Sequence, residues 1–255
     1  MRELAEVAPG VLVATAGQYT TTSTVVVGAD GSCLVVDPAI SVIEVTDLAE
    51  ELARRNLRPV VGWATHAHWD HILWCSGLGN VPRYTTHRGL EVIRRERAGL
   101  IEGVNAAAPG HDLELFGRLT ALGGNRIPWD GPAAMVVEHD AHEIGHGAIV
   151  LSETGTLLAG DMLSDVEMPL LYPGDRDPVG QYLAGLEMLA ALGGVRTVVP
   201  GHGHAGDAAE FRRRVDADRR YLDKLVSRSA AADDERIVSG WLQAEHERQV
   251  RMLHG

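Results

Sequence analysis

Thr65-His66-Ala67-His68-Trp69-Asp70-His71 places four potential metal ligands within six residues. Imidazole is the commonest protein ligand for transition metals, and a carboxylate suits zinc, iron or manganese beside it. On an extended segment side chains alternate, so His66 and His68 can face the same way. A turn into helix after them swings Asp70 and His71 to a second point beside the first. A lone catalytic zinc takes three protein ligands and keeps one position open. This cluster offers four ligands in two pairs, which points to two metals. A loose histidine tract is the bland alternative. It fits poorly here, because Pro59 to Ala64 reads as a short buried strand and Ile72-Leu73-Trp74 resumes an apolar stretch.

His66-x-His68-x-Asp70-His71 resembles the signature of the metallo-β-lactamase superfamily of dinuclear metallohydrolases. Three later landmarks extend the resemblance in the family's order, each after an expected strand. The third histidine of the family resembles His142, in Asp140-Ala141-His142-Glu143. Its bridging aspartate resembles Asp161, in Leu158-Ala159-Gly160-Asp161. Its last histidine resembles His202, in Pro200-Gly201-His202-Gly203. The resemblance covers roughly residues 10 to 205 and implies an αββα sandwich with metals at one edge. It further implies that His66, His68 and His142 hold one divalent ion, that Asp70, His71 and His202 hold a second, and that Asp161 bridges them. Zinc is the expected metal, with iron and manganese as alternatives. The implied chemistry is hydrolysis by a metal-bridging hydroxide, with Asp70 orienting it or passing a proton to the leaving group.

These ligands must be delivered by the surrounding elements. Val11 to Ala14 is a short strand, and Thr22 to Gly28 pairs with Ser32 to Val36 across a Gly-containing turn. Asp37 ends the second of these strands and resembles the family's early aspartate, ordering the metal loop through hydrogen bonds. Ser41 and Glu44 form a capping box, after which Val45, Leu48, Ala49 and Leu52 give one apolar helical face ending near Asn56. Strand, helix, then the Pro59 to Thr65 strand implies a parallel crossover. Pro82 to Thr86 is the next strand. Residues 87–132 read as an inserted helical cover over the metal edge. Leu90, Ile93, Leu100 and Ile101 form one helical stripe, and Leu113, Phe116, Leu119 and Leu122 suggest another. The cover is expected to wall the pocket with apolar side chains, leaving the metals as its main polar feature.

Ala134 to Glu138 leads to His142, and a hairpin of Ala148 to Leu151 with Thr156 to Ala159 leads to Asp161. Asp177-Pro178 starts a helix that Gly193-Gly194 stops, and Val195 to Val199 presents His202. Residues 206–255 read as helices. Asp207 caps the first, and the last holds Val238, Trp241 and Leu242. They are expected to form outer cover or a homodimer contact within one domain spanning 1–255. Among the remaining polar residues, His146 and His204 are candidate outer partners of the ligands, with loop histidine the simpler reading. Ser164, Met168 and Tyr172 are candidate pocket residues by proximity to Asp161. Cys75 is read as packing.

A net charge of −12 with a single lysine, Lys224, argues against a nucleic-acid partner. Two cysteines, Cys33 and Cys75, make no disulfide framework. No apolar run is long enough to span a membrane and the first residues are charged, so a cytoplasmic protein acting on a small molecule is expected. Within the family, Asp161 departs from true β-lactamases, and Ser164 stands where quorum-signal lactonases often carry tyrosine. The acidic tail fits poorly with the basic contacts of glyoxalase II-like enzymes, and the surface lacks the basic character of ribonuclease-type members. The expected activity is hydrolysis of a small carboxylic ester, thioester or lactone. The rivals are an iron-dependent oxidoreductase of the sulfur dioxygenase kind, on the same fold, and a metal-stabilised binding protein without catalysis.

Overall fold

The computed structural model describes residues 3–174, 176–228 and 231–255. The chain runs β1 (Ala5–Ala8), β2 (Val11–Thr15), β3 (Thr22–Val27), β4 (Ser32–Val36), α1 (Val42–Arg54), β5 (Arg58–Trp63), β6 (Arg83–Thr85), α2 (His87–Ala107) and β7 (Thr120–Ala121). It continues with β8 (Ala134–His139), β9 (His146–Leu151), β10 (Thr156–Gly160), α3 (Pro178–Ala190), β11 (Thr197–Pro200), β12 (Gly206–Asp207), α4 (Ala208–Val226) and α5 (Gly240–His254). Strands β1 to β7 form one sheet in sequence order, and β12-β11-β10-β9-β8 form a second.

Alternation along each strand explains why two sheets stack and why helices cover both. Val11, Val13, Leu34 and Val36 point between the sheets, where they meet Val136, Ile149, Leu158 and Val199. Their neighbours Leu12, Ala14, Cys33 and Val35 point outward and bury against Val45, Leu48 and Leu52 of α1. On the second sheet, Ala148, Leu157 and Val198 bury against Tyr182 and Leu186 of α3 and Phe211 and Leu222 of α4. The result is the αββα sandwich expected from the sequence.

Local signals set the helix ends. Ser41 and Glu44 form the capping box of α1, Asp177 caps α3 with Pro178 in its first turn, and Asp207 caps α4. Asn56, at φ 56°, takes the left-handed turn that releases the chain into β5.

Three expectations need correction. No helix forms over Leu113, Phe116, Leu119 and Leu122, because the backbone oxygens a helix would use are already taken. The Arg97 guanidinium of α2 donates to the carbonyls of Leu113 and Phe116, each at 2.9 Å, and Gly117 turns the chain at φ 60°. Phe116 then buries beside Ile72 and Ile93, with Leu113 and Leu119 partly buried against the same cluster. Val238 precedes the Ser239 cap of α5 and is 84% exposed, so it belongs to no helical face. The apolar stripe of α2 reaches a pocket only in its second half, where Leu100 and Ala107 line cavities. Leu90, Val92, Ile93 and Val104 close over Ile72, Leu73 and Ala64 as part of the core.

Candidate metal centre

Both sheets deliver their chemistry at the same edge. Parallel pairing of β4 with β5 sets Val36 opposite Trp63, so Asp37 and Thr65 emerge side by side. Asp37 accepts hydrogen bonds from the Thr65 amide at 2.9 Å and the Thr65 hydroxyl at 2.6 Å. In the other sheet, parallel pairing sets Gly160 opposite Pro200, so Asp161 and His202 emerge together. The β8–β9 hairpin pairs His139 with His146 and carries His142 in its loop. The sheets are joined here, since the Thr22 amide donates to the Gly201 carbonyl at 2.7 Å and its hydroxyl donates to Pro200 at 2.6 Å.

The seven candidate ligands converge into two sets: His66, His68, His142 and Asp161, and beside them Asp70, His71 and His202. In the first set, His68 Nδ1 lies 3.0 Å from His66 Nε2 and 3.1 Å from His142 Nε2. Asp161 Oδ2 is 3.4 Å from His66 Nε2 and 3.5 Å from His142 Nε2. In the second, His202 Nε2 lies 3.3 Å from both His71 Nε2 and Asp70 Oδ2. Asp161 spans the two sets, with Oδ1 3.1 Å from His71 Nε2 and Oδ2 3.2 Å from His202 Nε2.

Ligands bonded tetrahedrally at about 2.0–2.1 Å to one ion lie roughly 3.3 Å from one another. The observed separations match that spacing. Asp161 Oδ1 is buried with no hydrogen-bond donor, a costly state that a cation would relieve.

The far side of each imidazole fixes which nitrogen is free. His71 Nδ1 donates to Asp37 at 2.9 Å, His142 Nδ1 to the Leu170 carbonyl at 3.0 Å, and His202 Nδ1 to the Tyr19 carbonyl at 2.8 Å. His66 Nδ1 donates to the Thr65 hydroxyl at 3.0 Å, whose own proton goes to Asp37. In each case Nε2 faces inward, where loss of any proton it carries presents a lone pair to a cation. His68 is reversed: Nδ1 faces inward and Nε2 lies 3.5 Å from Glu143 Oε2. Five imidazoles are thereby held in ligating tautomers by oxygens behind them.

Burial holds His66 and His142 neutral, pushing the pKa of His142 down to about 3 and that of His66 well below its usual value. Burial also opposes charge on His71 and His202. There the neighbouring carboxylates prevail, chiefly Asp161, and raise both pKa values well above normal. Burial likewise opposes ionisation of Asp161, but His202, His71 and His66 hold it well below the usual carboxylate range. The centre is thus poised to exchange protons for cations.

Close packing makes two glycines obligatory. A Cβ at Gly201 would stand 2.0 Å from Asp161 Oδ1, and one at Gly160, where φ is 55°, would meet His146 Nε2 at 2.3 Å.

Of the secondary candidates, His146 is the most deeply placed. It is fully buried, its Nε2 accepts the Asp161 amide at 3.2 Å, and its ring stacks between His66 and His139. The simpler loop reading of His146 is therefore wrong. His204 points away to Asp165 at 2.9 Å and is largely exposed. The Ser164 hydroxyl donates to the His202 carbonyl at 2.7 Å, and Met168 belongs to the core behind the second sheet. Cys75 packs against the Val45 carbonyl at 3.6 Å. Tyr172 does line a cavity, together with Glu96, Glu143 and Trp241.

Several site residues carried no signal of spacing. Glu167 is buried beside the centre, and burial raises its pKa to about 7. Tyr19, Trp69 and Trp241 form an aromatic rim, with Tyr19 6.4 Å edge-on from each tryptophan. Trp241 comes from α5, so the C-terminal helix is a wall of the site rather than outer cover. His139 carried no such signal either, and only the β8–β9 register pairs it with His146.

The family model described as the metallo-beta-lactamase superfamily matches residues 16–202. A hydroxyacylglutathione hydrolase from Ruegeria pomeroyi is 28% identical over 193 residues, covering 76% of this chain and 66% of that protein. One from Rhodospirillum rubrum is 27% identical, covering 74% of this chain and 64% of its own length. The chain therefore spans just under two thirds of these relatives. Among solved structures, a beta-lactamase domain protein from Burkholderia ambifaria superposes with a TM-score of 0.66 at 19% identity, covering 88% of this chain and 76% of that one. A metallo-beta-lactamase family protein from Thermus thermophilus gives 0.65 at 24% identity, covering 86% and 81%.

Proposed function

The chain belongs to the metallo-beta-lactamase superfamily, and from that membership and the geometry of its centre we propose that it is a dinuclear metallohydrolase. The substrate class is a small carboxylic ester, thioester or lactone. The observation that carries this reading is the convergence of seven ligands into two adjacent sets sharing Asp161. The completeness of the second set, Asp70, His71 and His202, favours two ions over the single iron of an oxygen-using relative. The printed activity of the curated relatives makes thioesters the first class to try.

His66, His68, His142 and Asp161 would hold one divalent ion, and Asp70, His71, His202 and Asp161 the other. Together the ions would supply an acidified water and a positive pull on the substrate carbonyl oxygen. The protein's own residues do the rest. Asp37, Thr65 and the carbonyls of Tyr19 and Leu170 orient the imidazoles. Asp70, 9% exposed at its side chain, lines the chamber in front of the centre and is placed to carry a proton to the leaving group. Tyr19, Trp69 and Trp241 screen that chamber from water. One catalytic domain covers the whole chain, with residues 206–255 closing its pocket.

The test is elemental analysis of protein loaded with zinc, manganese or iron, followed by an ester, thioester, lactone and β-lactam panel. Two ions per chain with turnover of the first three classes is expected. One ion per chain, with oxygen uptake instead of hydrolysis, would replace this reading by the oxidoreductase.

A further inference from the structure

In front of the centre lie two cavities that share a wall. The first, about 200 Å³, opens directly onto Asp70, Asp161 and His202. The second, about 380 Å³, runs beside it, and His68, His142, Leu170 and Trp241 border both. A substrate whose carbonyl sits at the centre has this side chamber as the place for its remaining arm.

The chamber's chemistry is specific. Leu100, Leu171, Tyr172 and Trp241 give it apolar and aromatic faces. Besides His68, His142 and the Tyr172 phenol, its ionisable groups are three carboxylates, Glu96, Glu143 and Glu245, and one guanidinium, Arg248. That guanidinium is already engaged. Arg248 donates to both oxygens of Glu245, at 2.8 and 2.5 Å, and to the Leu171 carbonyl at 3.2 Å. Glu143 is 3% exposed, so its charge is poorly screened. The helix presenting Trp241, Glu245 and Arg248 is fixed in place. Gln249 of α5 accepts the Leu171 amide at 2.8 Å and donates to the Pro169 carbonyl at 3.1 Å, in the same segment whose Leu170 carbonyl holds His142.

We propose that this side chamber binds the arm of the substrate remote from the scissile carbonyl and selects an uncharged, apolar arm over an anionic one. Glu245 is the specificity-determining residue, because it neutralises Arg248, the only Lys or Arg side chain lining the chamber among the described residues. The proposal rests on the hydrolase reading for the word substrate, but the chamber's selectivity is measurable without turnover. An arm bearing carboxylates meets the buried Glu143 and finds no cationic side chain to answer it, since Arg248 is held by Glu245 and the Glu96 carboxylate is paired with Arg95. Two like unit charges about 12 Å apart at an effective dielectric of about 20 repel strongly enough to change affinity by about tenfold. An apolar arm instead gains the burial against Trp241 and Tyr172.

The experiment uses two non-hydrolysable S-phenacyl thioethers, one of N-acetylcysteamine, which is uncharged, and one of glutathione, which carries two carboxylates and a net negative charge. Each is titrated against the metal-loaded protein by tryptophan fluorescence. The uncharged thioether is expected to bind at least tenfold more tightly. Glu245→Gln, which releases Arg248, should narrow that gap by about tenfold through tighter binding of the glutathione thioether. Glu96→Gln, at a more exposed position, should shift it the same way by less. Equal or tighter binding of the glutathione thioether by the wild-type protein overturns the proposal, as does an unchanged gap in both variants. The corresponding phenylacetyl thioesters are assayed in parallel. Absence of turnover for both, together with none on the ester and lactone panel, would remove the hydrolase reading, while the thioether titrations would still decide the selectivity.

Discussion

Replacing Asp37 by Asn tests the idea that the centre is tuned from behind. Asp37 is 3% exposed and accepts three hydrogen bonds, two from Thr65 and one from His71 Nδ1 at 2.9 Å. Its φ of 47° lies in the left-handed region, which Asn tolerates as well as Asp, so the backbone is not in question. Asn can keep its carbonyl oxygen on the Thr65 amide. Its NH2 then faces two donors, the Thr65 hydroxyl and His71 Nδ1. To escape that clash of donors, His71 must move its proton to Nε2, the atom that faces Asp70, Asp161 and His202. The ligand lone pair is lost. Hydrogen bonds to a charged acceptor contribute roughly 1.5–3 kcal/mol each. Partial recovery through the retained amide contact leaves an expected loss of about 2–4 kcal/mol in fold stability. Metal affinity at the set containing His71 should fall about 10–100-fold, the usual consequence of removing an oxygen behind a ligating histidine. The other set should lose less, because it feels Asp37 only through Thr65 and His66. Competition with a chromophoric chelator reads the two binding steps separately, and denaturant unfolding reads the stability. Two wild-type affinities in Asp37→Asn would refute the tautomer argument.

Four further outcomes follow from the same geometry. Asp161→Asn removes a charge shared by both sets, so turnover should fall by orders of magnitude and metal retention should weaken while circular dichroism stays native; near-normal turnover at limiting metal would contradict the bridging role. Gly201→Ala puts a methyl 2.0 Å from Asp161 Oδ1; metal content after dialysis should drop well below that of Gly193→Ala, a site with open space, and equal retention would show that the close approach is not needed. Burial lowers the pKa of His139 to about 4 from the usual 6.5. The folded state thus takes up this proton less readily than the unfolded chain, and the associated stability is complete above about pH 6.5 and is lost as pH falls toward 4. The loss amounts to about 3 kcal/mol. His139→Leu should flatten the unfolding free energy over that window relative to wild type, and parallel pH profiles would rule the assignment out. Trp241→Ala should raise KM more for phenylacetyl than for acetyl thioesters, since the indole borders both cavities; equal changes would place Trp241 outside the pocket's discrimination.

What the sequence determined by itself was local and ordered along the chain. Val11 to Ala14 and Ser32 to Val36 were legible as strands, because short apolar runs bounded by turn residues are a local signal, while the stacking of two sheets came from the family resemblance. Ser41, Asp177 and Asp207 marked helix starts, because capping is settled within four residues. The ligand cluster at His66 to His71 was legible for the same reason, and the later ligands His142, Asp161 and His202 were reached through the family resemblance, in its order along the chain. Where burial depended on another segment, sequence reasoning failed. Leu113 to Leu122 kept a helical spacing of apolar residues, yet Arg97 claimed the Leu113 and Phe116 carbonyls and Leu113, Phe116 and Leu119 packed on one cluster without a helix. His146 read as a loop histidine until the hairpin register placed it under Asp161. Trp241 and Glu245, far along the chain on α5, reach the centre only because Gln249 and Arg248 fasten that helix to the segment around Leu171. Tertiary structure therefore decided the shape and charge of the pocket. Periodicity records how much of a side chain is hidden from water, while what hides it is set by contacts between segments distant in sequence.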